Sequence, residues 1–91
     1  MRVRLVLTTY FKSILGIGEV PLELESGASV AEAVRVFLED YPDYKAALEK
    51  RRTFLIGELR AIYMVSGMAV NSDHVLIDGD ELKVMKAFIG G

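Results

Sequence analysis

Apolar and polar positions alternate near both ends of this chain and switch to a helical period in between. In "RVRLVLTTY", Val3, Leu5 and Leu7 alternate with Arg2, Arg4 and Val6, the period of a strand with one buried face. Gly16 and Gly18 interrupt the pattern, and Val20, Leu22 and Leu24 resume it in "EVPLELE", so the two runs read as a hairpin. In "SVAEAVRVFLEDYP", Ser29 and Glu32 have the spacing of a capping box. Val30, Ala33, Val34, Phe37 and Leu38 then form one helical stripe, with Glu32, Arg35 and Glu39 toward water. Pro42 ends this helix, because the residue before a proline is pushed out of helical geometry. Residues 43–52 predict a shorter helix with Tyr44, Ala47 and Leu48 as its apolar side. "AIYMV", "MAV" and "ELKVMKAF" read as strands separated by the turn-forming pairs Ser66-Gly67 and Asp78-Gly79. The order predicts an α+β domain: a mixed sheet with one main helix packed across one face and a short second helix.

Composition narrows the classes. Ninety-one residues suit one domain. The absence of cysteine excludes a disulfide scaffold, a thiol nucleophile and a thiolate metal site. The opening "MRVRLVLTTYFK" alternates and meets Lys12 too soon for a signal peptide or membrane span, and the expectation is a soluble, cytoplasmic protein without a membrane partner. A net charge of -2, with no basic stripe interleaved with aromatics, argues against nucleic acid as a partner. The apolar fraction of 52% fits either a well-filled core or an exposed apolar patch on one face.

Internal catalytic machinery is not evident. His74 is the single histidine, too little for an ordinary zinc site, and no metal or cofactor is expected. Asp78 and Asp80 flank Gly79 as turn formers. The "GIG" stretch lacks the remaining glycine of a nucleotide loop, and the four methionines read as gap fillers. The basic run Lys50-Arg51-Arg52 reads as a solvated helix end favoured by the helix dipole.

The end of the sequence, "KAFIGG", has more unusual chemistry. Gly90 and Gly91 carry no Cβ and can lie extended in a channel too narrow for side chains. The five residues 87–91, at up to about 3.6 Å each, reach about 17 Å beyond a paired strand. A backbone carboxylate delivered in this way can attack the α-phosphate of ATP, and the resulting acyl-adenylate loses AMP far more readily than a carboxylate loses oxide. A sulfur or amine nucleophile can then take the acyl group.

The order of elements, "GASVAEAVRVF", "MVSGMAV", "LIDGDELKVM" and the terminal Gly90-Gly91 together resemble the MoaD/ThiS superfamily of ubiquitin-like sulfur carriers. Within it, the chain is most similar to the small subunits of molybdopterin synthase. The resemblance spans nearly the whole chain and implies a β-grasp domain over residues 1–86 with a flexible tail over 87–91. It implies a carrier that is not a catalyst on its own. An adenylyltransferase related to ubiquitin-activating enzymes would activate Gly91, with Gly90 giving access, and conversion to a thiocarboxylate would follow. The sulfur would go to molybdopterin synthesis, with the large synthase subunit as second partner. Two departures keep other acceptors open: Val65-Ser66-Gly67 replaces the frequent valine-asparagine-glycine, and Ala87-Phe88-Ile89 replaces a proline-containing approach to the glycines. The alternatives are conjugation through Gly91 to lysines, sulfur transfer to thiamine or tRNA, and non-covalent binding. For docking, the outward face of the first and last strands is expected to present Arg2, Arg4, Val6, Lys83 and Met85, with Phe88 and Ile89 just beyond.

Overall fold

A computed structural model describes residues 1–50, 54, 55, 58, 59 and 61–86. The elements are β1 (Arg2–Leu7), α1 (Thr9–Leu15), β2 (Glu19–Glu23), α2 (Val30–Asp40), α3 (Pro42–Lys50), β3 (Phe54–Leu55), β4 (Glu58–Leu59), β5 (Ala61–Val65), β6 (Met68–Val70) and β7 (Glu81–Lys86). Five strands form one mixed sheet in the order β2-β1-β7-β5-β6, and β3 and β4 pair separately. Among the described residues only the central β1–β7 pair is parallel, with Arg4 opposite Glu81 and Val6 opposite Lys83. This is the architecture expected of a ubiquitin-like β-grasp.

The period-two residues behave as their spacing demands. Val3, Leu5 and Leu7 of β1, Val20 and Leu22 of β2, and Leu82 and Val84 of β7 are all buried on one sheet face. Against them α2 lays Val30, Ala33, Val34, Phe37 and Leu38, the stripe predicted from the sequence. Leu48 anchors α3 in the same core. Burial of a side chain the size of Phe37 is worth about 1.5–3 kcal/mol, so the helix is held mainly by this face.

The start of α2 is capped twice over. Ser29 Oγ accepts a hydrogen bond from the Glu32 amide at 3.2 Å, as the capping-box spacing predicts. The Val30 and Ala31 amides donate to the carbonyls of His74 and Ser72, at 2.9 and 2.8 Å. Three amides at the helix start, which have no acceptor within the helix, thus find partners. His74 enters this structure through its backbone carbonyl.

The segment between the first two strands corrects the expectation of a simple hairpin. β1 and β2 do pair antiparallel, but their connection contains α1, which sinks Phe11 into the core and ends at Gly16 with φ 71°. Left-handed backbone of this kind is strained for residues with a Cβ. In seven residues a helix shows too few apolar repeats to stand out from a turn region, and α1 has no side-chain cap to announce it. Pro42 also does more than end α2. It is the first residue of α3, a position where its missing amide costs nothing. Arg51 and Arg52, the rest of the expected basic helix end, lie outside the described residues.

Both predicted turns form. Ser66 and Gly67 have φ of 53° and 78°, the signature of a two-residue type I′ turn, closing β5 onto β6 between Val65 and Met68. In the second turn, Asp78 Oδ1 accepts from the Arg2 amide at 2.8 Å and Asp80 Oδ2 from the Ile77 amide at 2.9 Å. The Gly79 amide donates to the Arg2 carbonyl at 2.8 Å. The two carboxylates therefore shape the turn and tie it to β1, which sets the register of β7 beside β1.

Candidate partner surface and tail exit

Because side chains alternate across a sheet, the register fixes which residues share the face opposite the helices. Arg4 and Val6 of β1, Glu81, Lys83 and Met85 of β7, and Ile62 and Met64 of β5 all point outward. Met85 lies opposite Ile62, and Lys83 lies between Val6 and Met64. Arg4, Lys83 and Met85, expected from the sequence to meet a partner, are thus brought to one surface. Ile62 and Met64 were missed by sequence reading. Their strand "AIYMV" has no polar residue to mark an outer face, and only its pairing with β7 assigns one.

The face is divided along its length. At one end, Arg4 bridges Glu19 and Glu81, with N–O distances of 2.6 and 2.5 Å, and Arg2 meets Glu23 at 2.7 Å. These groups are largely solvated, so each pair is worth at most about 1 kcal/mol, and the charge of Arg4 is already balanced within the chain. At the other end stand Ile62, 43% exposed, the half-buried Met64 and Met85, and Val6. Lys83 marks the boundary, where it lines a depression of about 350 Å³ with Met64, Ser66 and Asp80.

The apolar end is also where β7 finishes. Thr8 continues past β1 and donates to the Val84 carbonyl twice, from its amide at 3.2 Å and from Oγ1 at 3.0 Å. On the opposite side Ala61 pairs with Lys86. Phe88, Ile89, Gly90 and Gly91, the remaining expected site residues, lie outside the described residues.

On the helix face, a separate cleft of about 410 Å³ runs between α2 and the β5–β6 hairpin, floored by Val34, Leu38, Tyr63 and Val70 with Arg35 and Lys45 at its rim. Among the described residues, no group of three His, Cys, Asp or Glu side chains comes together as a metal would need. Nor, among these residues, is any helix long and apolar enough to cross a membrane.

No protein-family model and no curated protein matches this sequence. Solved structures do match it in shape. SAMP1 from Haloferax volcanii superposes with a TM-score of 0.79 at 24% identity, covering 100% of both chains. A chain from the complex of subunits 1 and 2 of the molybdopterin-converting factor of Helicobacter pylori gives a TM-score of 0.59 at 17% identity, again over 100% of both. A chain from the BexX/CysO complex of Amycolatopsis orientalis gives 0.63 at 22% identity, over 98% of this chain and 99% of that one. The resemblance carried by the sequence motifs is met by structural neighbours of the MoaD/ThiS superfamily, whose ubiquitin-like β-grasp fold this chain has.

Proposed function

We propose that this protein is a sulfur carrier acting through the carboxylate of Gly91, with molybdopterin synthesis as its pathway. The observation that carries the reading is spatial: β7 ends beside an apolar region of the outer sheet face, formed by Val6, Ile62, Met64 and Met85. A partner seated on that region would lie close to the end of β7, within the reach of about 17 Å that five further residues allow. The fold shared with a chain of the molybdopterin-converting factor complex supports this reading.

In the first step a Gly91 carboxylate oxygen bonds to the α-phosphorus of ATP and pyrophosphate leaves. A sulfide-level sulfur nucleophile, supplied by the activating system, then adds to the acyl carbon. AMP departs with the electrons of the broken C–O bond and leaves a thiocarboxylate. The carrier's own contribution is positional: a fixed body for recognition and two glycines for passage. An adenylyltransferase of the ubiquitin-activating type and the large synthase subunit are the proposed partners, with Met85, Lys83, Phe88 and Ile89 at the contact. Arg4 would take part only by giving up its bonds to Glu19 and Glu81.

The test is incubation with ATP, such an adenylyltransferase from the same organism and a sulfide donor, followed by intact-mass measurement and fragmentation. The expected product has one oxygen of Gly91 replaced by sulfur. A chain that never releases pyrophosphate under these conditions, and whose Gly91→Ala variant supports molybdenum-cofactor synthesis in its own cell, is not a carrier. Structural likeness to a small archaeal modifier protein favours conjugation as a second reading. A Gly-Gly remnant on acceptor lysines in native extracts would establish it.

A further inference from the structure

The two edges of the five-stranded sheet differ in what they offer a neighbour. β2 forms one edge and, among the described residues, β6 forms the other, paired with β5 alone. Backbone groups in an antiparallel ladder point toward and away from the partner strand at alternate residues. Along β2 the bonds to β1 fall at even positions, with the Leu7 amide donating to the Gly18 carbonyl at 2.9 Å and the Leu24 amide to the Met1 carbonyl at 2.8 Å. The outward groups therefore belong to Glu19, Pro21 and Glu23. Pro21 has no N–H to give and stands between two carboxylates, which blunts this edge against a further strand.

β6 has no such protection. Its two-residue turn makes Val65 and Met68 a hydrogen-bonded pair, so at the next residue the Ala69 N–H and C=O face away from β5. The same alternation, carried across β5 and β7, points the Val84 carbonyl at β1, where the Thr8 amide meets it at 3.2 Å. Met68 is 66% exposed and Ala69 is exposed, and residues 66–72 include neither proline nor charge. Met68 and Val70 lie on the helix side of the sheet with Val65, and Val70 floors the cleft of about 410 Å³ together with Val34 and Leu38. At its rim Arg35 is balanced by Glu39 at 3.0 Å, whereas Lys45 forms no ion pair among the described residues.

We propose that β6 is a strand-addition site for an extended segment of a partner protein, one with apolar residues at alternate positions and an acidic residue beyond them. Bonds to the Ala69 backbone set its register, and every second side chain covers Met68 or enters the cleft. The unbalanced charge of Lys45 selects the acidic flank. Because β6 has only three residues, the backbone bonds alone hold such a segment weakly, and the cleft supplies the discrimination. The site is separate from the outer face and independent of the carrier function.

The probe is a library of random twelve-residue peptides displayed on phage, selected on the full chain and counter-selected on Ala69→Pro. Proline removes the outward N–H at a place where an edge strand tolerates it. Surviving peptides should alternate apolar residues and carry an aspartate or glutamate. Synthesised and titrated, they should bind Ala69→Pro at least about tenfold more weakly than wild type and Lys45→Glu about threefold more weakly. Amide exchange read by NMR supplies a measurement that needs no variant: the Ala69 N–H of the wild type should exchange more slowly with peptide bound. Should Ala69→Pro fail to fold, selection on the wild type and this slowing decide alone. Absence of any enriched peptide, equal binding to wild type and Ala69→Pro, unchanged Ala69 exchange, or binding indifferent to Lys45→Glu would overturn the proposal. A concentration-dependent dimer in sedimentation, lost in Ala69→Pro, would also overturn it by assigning the edge to a second copy of this chain.

Discussion

Replacing Ile62 with glutamate probes the apolar end of the outer face most directly. Ile62 is 43% exposed in the free protein, so a little over half of its burial is already realised by the fold. Full burial of an isoleucine is worth about 1.5–3 kcal/mol, which leaves roughly 1 kcal/mol for a partner to gain. The introduced carboxylate adds a larger penalty, because seating an unpaired charge against apolar surface costs several kcal/mol. Together these predict at least about 2–3 kcal/mol of lost binding, a Kd raised by about 30–150-fold. The free protein should suffer less. Strand propensity accounts for about 1 kcal/mol, and Lys83, diagonal to position 62 across the β5–β7 pair, can accept the new charge as a partner. Isothermal titration against the adenylyltransferase gives the binding term, and urea unfolding gives the stability term. Ile62→Arg, which meets Lys83 as a like charge, controls for that compensation. A Kd within about twofold of wild type for both variants, with the fold intact, would refute the assignment of this face to docking.

Phe11→Ala should destabilise the protein by about 3–5 kcal/mol, a large part of the roughly 5–15 kcal/mol available to a domain of this kind. Denaturant titration would read it, and a loss below about 1 kcal/mol would show that α1 is not part of the core. Ser29→Ala should cost about 1 kcal/mol through the lost bond to the Glu32 amide, and Ser29→Asp should recover most of it, both measured by thermal unfolding. Arg4→Ala should change stability by no more than about 2 kcal/mol, since it removes two exposed ion pairs, each worth at most about 1 kcal/mol. A partner titration that showed it as costly as Ile62→Glu would move the centre of the interface toward the charged end. Deleting Gly90 and Gly91 should abolish adenylation, measured as pyrophosphate release, while changing unfolding stability by well under 1 kcal/mol.

Sequence alone determined those features of this protein that short-range chemistry decides. The alternation of Val3, Leu5 and Leu7, the stripe from Val30 to Leu38, the Ser29 cap and the turns at Ser66-Gly67 and Asp78-Gly79 each depend on residues within one turn or one strand. Their periods of 2 and 3.6 name the buried face before any partner strand is known. The structure then places those residues in the core and at those turns. Tertiary structure decided whatever depends on which strands become neighbours. "AIYMV" has no alternation to orient it, so Ile62 and Met64 joined the outer face only once β5 paired with β7. Arg4 reads as a free cation until Glu81, 77 positions away, closes on it. The capping carbonyls of Ser72 and His74 reach α2 from a loop more than forty residues later in the chain. The short α1 lacked the repeats to declare itself, and it is stabilised by burying Phe11 rather than by propensity. Long-range pairing is chosen by the fit of whole faces to one another, a sum over many residues that no local window contains.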